Sequence, residues 1–216
     1  MNYLSMFTQL AEGFLVTVEI FVLTLLFSLP LGLIVAFGRM SKCRLIRILA
    51  KTYISIMRGT PLMLQIIVVY FAPFYVFGLQ MGSGYRFPAV ILAFVINYAA
   101  YFAEIYRSGI ESMPVGQYEA AEVLGYSKVQ TFFKIILPQV IKRVLPPITN
   151  ETITLVKDTS MAFTISIAEM FTIAKQIGAA QTSIVPLLAA GVFYYIFNLV
   201  VATVMELLEK KLNYYR

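Results

Sequence analysis

Long apolar stretches separated by short polar ones dominate the pattern of this chain. A helix needs about 20 mostly apolar residues to cross a hydrocarbon core of about 30 Å. Residues 14–37 form the first such stretch, interrupted by Glu19 and Pro30. The second, 59–79, has no charge at all; Pro73 is placed to kink it, and Gly78, Gly82 and Gly84 mark the turn that follows. The third, 87–106, carries Asn97 and Glu104. The fourth, 148–174, is less clean, with Glu151, Lys157, Asp158 and Glu169 inside it. The fifth, 184–206, lies in a run that is free of charge from 176 to 205. The pattern predicts an all-α membrane protein, one transmembrane domain over 1–216 with five transmembrane helices. Ahead of the first span, Leu4, Phe7 and Leu10 fall at helical spacing and predict a short interfacial helix, with a frayed terminus as the alternative. Residues 1–13 lack Lys, Arg and a small-residue cleavage site, so they do not read as a secretory signal peptide.

Composition agrees. Of 216 residues, 60% are hydrophobic and 13% charged, against roughly 45–50% and about 25% in a soluble domain. Mean hydropathy is +0.81. The one cysteine, Cys43, excludes an intramolecular disulfide framework. The absence of histidine removes His metal sites and Ser-His nucleophile pairs. No Gly-Lys dipeptide occurs, so there is no phosphate-binding P-loop, and any ATP must be bound by another chain. The net charge of +6 reads as cytoplasmic loop charge, not as a nucleic-acid footprint. Of the 17 basic residues, 14 fall in the first connection, the third connection and the tail; Arg86 and Lys175 face the other side, and Lys157 is inside a span. This bias places the N-terminus outside and the C-terminus inside.

Residues 107–147 are too polar to span and too patterned to be a linker. Ser112, Met113 and Pro114 offer a helix start. A strong helix-forming run follows from Gln117 to Leu124, and Gly125 can end it in a left-handed cap. Val129, Phe132, Phe133 and Ile136 then recur at helical spacing, and Pro146 and Pro147 set up the fourth span. The segment reads as a cytoplasmic hairpin between spans three and four. Its small alanines and its glutamates suit a docking knob for a soluble subunit; a hairpin that only coats the membrane fits the same pattern.

Glu119, Ala120 and Ala121, then Gly125, then Ile135, Leu137 and Pro138 fill every fixed position of E-A-A-x3-G-x9-I-x-L-P. This resembles the cytoplasmic loop of bacterial ABC importer permeases. Met57 to Leu62 followed by Gln65, Asn97 to Glu104, and Asn150-Glu151 followed by Thr154 to Ser160 resemble the polar amino-acid members of that family. The resemblance extends over residues 14–210. It implies a multi-pass protein of the bacterial cell membrane that acts as a homodimer or a related heterodimer and has no cofactor of its own. An ABC ATPase pair, which binds ATP and Mg, engages the hairpin, here the coupling helix. An extracytoplasmic binding protein delivers the amino acid, and alternating access in the spans imports it.

Charges inside a span mark a pathway or an ion site by default. Glu151 and Asp158, seven residues apart, share nearly one helix face, about 10 Å apart along the axis, with Thr154 between them. Either carboxylate could meet an ammonium; Lys157, or amides near Thr159 and Ser160, could meet a carboxylate. The alternative is that Lys157 and Asp158 neutralise each other or neighbouring helices. Asn97 and Tyr101 share a face of span three and could complete a pocket, although interhelical hydrogen bonding suits them as well. Glu104 is expected to pair with Arg107 or Arg58, Glu169 to lie wet near the outer surface, and Tyr214 and Tyr215 to anchor the tail at the interface. A self-contained secondary amino-acid transporter or channel subunit is the competing function; it would have no need of the hairpin signature and more often carries internal repeats. No intramembrane enzyme chemistry is visible in a chain without histidine.

Overall fold

The computed structural model describes residues 3–212, so Tyr214, Tyr215 and Arg216 lie outside it. Among the described residues there is no strand. The helices are α1 (Tyr3–Arg39), α2 (Arg44–Gly59), α3 (Leu62–Phe77), α4 (Arg86–Glu111), α5 (Val115–Val123), α6 (Lys128–Thr131), α7 (Leu137–Asp158), α8 (Met170–Gln181) and α9 (Val185–Leu212). A π-helical turn, Phe132–Ile136, joins α6 to α7, and 3₁₀ segments occupy Ser83–Tyr85 and Thr159–Ile165.

Three helices, α1, α4 and α9, are long and apolar enough to cross a membrane, and α2 with α3 makes a fourth if that bent pair is one span. In place of the expected interfacial helix, the described residues from Tyr3 to Gly13 are the first part of α1, with Met6 and Leu10 buried against Met170, Ala174 and Ile177. Small residues make the main helix pair. Thr24, Ser28, Gly32 and Ala36 are buried on α1, and α4 answers with Ala89, Ala93, Ala99, Ala100 and Ala103, whereas Gly13 and Thr17 meet α8 at Met170. In lipid, where side-chain hydrophobicity does not drive association, close backbone approach does. Gly32 shows how close: a Cβ there would sit 2.8 Å from Phe102 Cβ and 3.0 Å from Ala99 O.

The second stretch is helical only from Leu62. Thr60 is extended, as a residue before proline prefers, and Pro61 has no N–H to continue α2, so α2 and α3 meet at 112°. Pro73 lies within α3, and Gly78 ends the helix at φ 67 with its N–H on Phe74 O.

The fourth stretch differs most from the expectation over 148–174. Its helix begins eleven residues earlier, at Leu137, and runs through Pro146 and Pro147 to Asp158. Val140 and Val144 are buried, and Val144 packs so closely on Gly109 that a Cβ there would meet it at 2.3 Å. After Asp158 the hydroxyls of Thr159, Ser160 and Thr164 donate to carbonyls three residues back, Val156, Lys157 and Met161, at 2.7–2.8 Å. Such back-bonding competes with the α-helical ladder and accompanies the tight 3₁₀ winding. Ser166 then turns left-handed at φ 60, and α8 starts afresh at Met170.

Glu169 caps that new start. It is fully buried, not wet, and its carboxylate accepts from Phe171 N, Thr172 N and Thr172 Oγ1 at 2.7 Å and from Tyr194 OH at 3.0 Å. Four donors satisfy a buried negative charge at the positive end of a helix.

Candidate functional site

The bend between α2 and α3, the middle of α4 and the last two turns of α7 enclose a cavity of about 570 Å³. Asn97, Tyr101, Glu151, Thr154 and Asp158 line it together, so five of the eight sequence-expected pocket residues converge. The other three do not line it. Lys157 is exposed, and Thr159 and Ser160 turn their hydroxyls back onto α7. Thr60, Pro61, Leu62, Met63, Tyr98 and Met161 complete the wall.

Tyr98 is the residue that sequence reasoning passed over. Its hydroxyl donates to Asp158 Oδ2 at 2.7 Å while its ring, 2% exposed, is stacked in the core against Phe94. The only available signal was its place next to Asn97. No ion pair holds Asp158 or Glu151 among the described residues. Asp158 Oδ1 has no hydrogen-bond partner among the described residues, and Glu151 stands on the same helix face two turns earlier. The Arg58 guanidinium lies 5.4 Å from the centroid of the Tyr101 ring, a cation–π contact beside the cavity, and its charge acts on Glu151.

A polar staple shapes the opposite wall. Gln65 Nε2 donates to Met57 O at 3.0 Å and to Thr60 Oγ1 at 2.8 Å; Asn97 Nδ2 donates to Gln65 Oε1 at 2.9 Å and to Met57 O at 3.2 Å. Asn97 thus spends its amide on holding the bend, and it reaches the cavity as part of the wall. Glu104 pairs with Arg107 on the same helix, as expected, and Arg107 also pairs with Glu111.

The hairpin arms are tied reciprocally, Gln117 Nε2 to Gln139 Oε1 and Gln139 Nε2 to Gln117 Oε1, both at 2.9 Å. Arg143 holds the base, donating to Ser112 O at 2.8 Å. At the tip Gly125 takes φ 78, a left-handed cap with its N–H on Glu122 O. Ser127 and Gln130 form a capping box that starts the second arm. Glu119, Ala120, Gly125 and Pro138 are exposed, Ile135 and Leu137 are half-buried, and Ala121 turns inward. Val123 and Leu124, 88% and 73% exposed, project from the tip uncovered by any described residue.

Residues 28–214 match the model of the binding-protein-dependent transport system inner membrane component family. The chain belongs to that family. Its relatives are amino-acid ABC transporter permeases. The L-cystine transport system permease protein TcyB of Bacillus subtilis is 36% identical over 213 residues, covering 98% of this chain and 89% of the relative. The arginine transport system permease protein ArtQ of the same organism is 36% identical over 203 residues, covering 94% and 91%. A crystal structure of an amino acid ABC transporter with histidines matches at TM-score 0.87 and 30% identity, covering 98% of this chain and 99% of that one. The permease fold therefore spans the helices that build the cavity and those that build the hairpin.

Proposed function

We propose that this permease is the membrane subunit of an ATP-driven importer that carries a polar amino acid through the cavity between the α2–α3 bend, α4 and α7. The observation that carries the reading is the pair Asp158 and Glu151, two carboxylates lining one cavity with no ion-pair partner among the described residues. Burying a carboxylate without a counter-charge is costly, and an ammonium entering the cavity relieves that cost. Every free amino acid brings an α-ammonium, and cationic side chains bring a second positive group. Arg58 beside Tyr101 supplies the cation nearest to hand for the substrate carboxylate. The volume suits one amino acid with some water.

The exposed hairpin tip, with Glu119, Ala120 and Gly125, supports docking of a partner ATPase pair that binds ATP and Mg. The charge bias supports a multi-pass arrangement in the bacterial cell membrane with the hairpin and the C-terminus inside. In that arrangement α1, α3, α4, the α7–α8 segment and α9 make the five passes. A second permease chain and an extracytoplasmic binding protein complete the importer.

The test is functional reconstitution. The chain is placed in liposomes with its partner ATPase and binding protein, and ATP hydrolysis is measured across a panel of polar amino acids. Stimulation by one class, lost when Glu119 or Gly125 is substituted, supports the reading. Uptake of labelled amino acid with no associated ATPase would overturn it in favour of a secondary transporter.

A further inference from the structure

We propose that α2 is a binding surface for anionic phospholipids, a role that goes beyond the transport reading. At 100° per residue its 16 positions divide into three faces. Ala50, Tyr53, Ile54 and Met57 fall on one and pack on the protein, while Ile46 at its margin is 47% exposed. Ile54 is buried with Ala36, Ala100 and Ala103, and Tyr53 donates its hydroxyl to Ile96 O. Leu45, Ile48, Leu49 and Ile56 fall on a second face and are 65%, 48%, 62% and 51% exposed. Arg44, Arg47 and Lys51 fall within about 60° of one another on the third, and Arg58, whose guanidinium turns to the Tyr101 ring, falls among them at the end of the helix. Arg44, Arg47 and Lys51 are exposed and make no ion pair among the described residues. No Asp or Glu occurs between Arg39 and Thr60.

A helix with one face committed to protein, one bare apolar face and one unneutralised basic face fits the plane of a membrane interface. Acyl chains cover Leu45, Ile48, Leu49 and Ile56. The basic stripe, left without a protein counter-charge, takes its counter-charge from headgroup phosphates, and long basic side chains reach that level readily. A zwitterionic surface covers the apolar face equally well but leaves the cations unneutralised, so charge complementarity selects anionic lipid. The last turn of the same helix carries Met57, whose carbonyl is the anchor of the Gln65 and Asn97 staple, so the element that meets lipid also carries the cavity wall.

Cys43, the exposed cysteine at the start of α2, supplies the probe position. A fluorophore on Cys43 of the full chain is followed in nanodiscs containing either brominated phosphatidylglycerol or brominated phosphatidylcholine at equal fraction. Bromine quenches at short range, so the ratio of quenching reports which lipid gathers at α2. The expected result is stronger quenching by phosphatidylglycerol, weakened about fivefold in affinity for each charge removed and abolished in the Arg44→Gln, Arg47→Gln, Lys51→Gln triple variant. Salt at 1 M should also abolish it. The Lys210→Gln, Lys211→Gln variant, altered at the far end of α9, should keep the preference. Equal quenching by both lipids, a preference that survives in the triple variant, or its loss in the α9 variant would each overturn the proposal. None of these readouts depends on transport, so the lipid site and the importer reading fail separately.

Discussion

Replacing Asp158 by Asn tests the cavity most directly. Asparagine keeps the shape and can still accept the Tyr98 hydroxyl bond, which spans 2.7 Å. What it removes is the charge offered to an incoming ammonium. A hydrogen bond to a charged group contributes about 1.5–3 kcal/mol net, which is roughly 10- to 150-fold in binding. In the reconstituted importer the amino-acid concentration for half-maximal uptake should rise by that factor. Because the binding protein delivers substrate, the assay uses saturating binding protein and reads the transport step. Basal ATP hydrolysis without substrate should be unchanged, since Asp158 is far in sequence and position from the hairpin tip. Lys157→Gln supplies the contrast: the lysine is exposed and outside the cavity and reaches Asp158 only through space, so its loss should move half-saturation far less than Asp158→Asn does. Unchanged half-saturation in Asp158→Asn, or an equal rise in Lys157→Gln, would refute the assignment of the acidic pole.

Gln65→Leu removes the donor that holds Met57 O and Thr60 Oγ1 and one of the two acceptors of the Asn97 amide, leaving it Met57 O; a loss of about 2 kcal/mol should lower the melting temperature by roughly 4–8 °C in thermal unfolding. Gly125→Ala meets no atom within 4 Å but must hold φ 78, a strain of about 1–2 kcal/mol. It should cut substrate-stimulated ATP hydrolysis several-fold and leave half-saturation unmoved. Glu169→Gln turns an amide N–H toward a carboxylate site built from four donors; a cost of about 2–3 kcal/mol predicts a melting temperature lower by roughly 4–12 °C. Tyr194→Phe removes one of those donors and should cost about 1 kcal/mol in the same assay.

Hydropathy made the helical membrane character of the chain legible, because long apolar runs have few alternatives. It also located the end of α1 and the starts of α4 and α9 to within two residues, while α1 begins eleven residues earlier and α4 and α9 run five and six residues beyond the apolar stretches. It missed the 112° bend and the amphipathic helix before it, since a window average over residues 39–58 registers only a basic connection. The hairpin was legible for a different reason. Turn chemistry is local: the left-handed cap at Gly125 follows from the residue itself, and the structure gives it φ 78.

The cavity was half legible, and the division has a physical basis. Residues on one helix face can be placed by periodicity alone, which is why Glu151, Thr154 and Asp158 meet in the structure as the seven-residue spacing implies. Lys157, one step round the helix from Asp158, was grouped with it by adjacency in sequence; the same 100° step that aligns the carboxylates carries Lys157 away to the exposed side. Thr159 and Ser160 left the pocket because their hydroxyls found carbonyls one turn back, and that choice depends on where α7 stops. Glu169 escaped for the opposite reason. A carboxylate among apolar residues near a span end looks wet until the chain breaks beside it and presents two free N–H groups. The break at 159–169 thus links the two surprises: the winding that takes Thr159 and Ser160 away from the cavity also exposes the helix start that Glu169 caps. A variant that weakens this cap should loosen the end of α7 that carries Asp158, so Glu169→Gln should lower substrate-stimulated ATP hydrolysis as well as stability, and Tyr194→Phe should do so less.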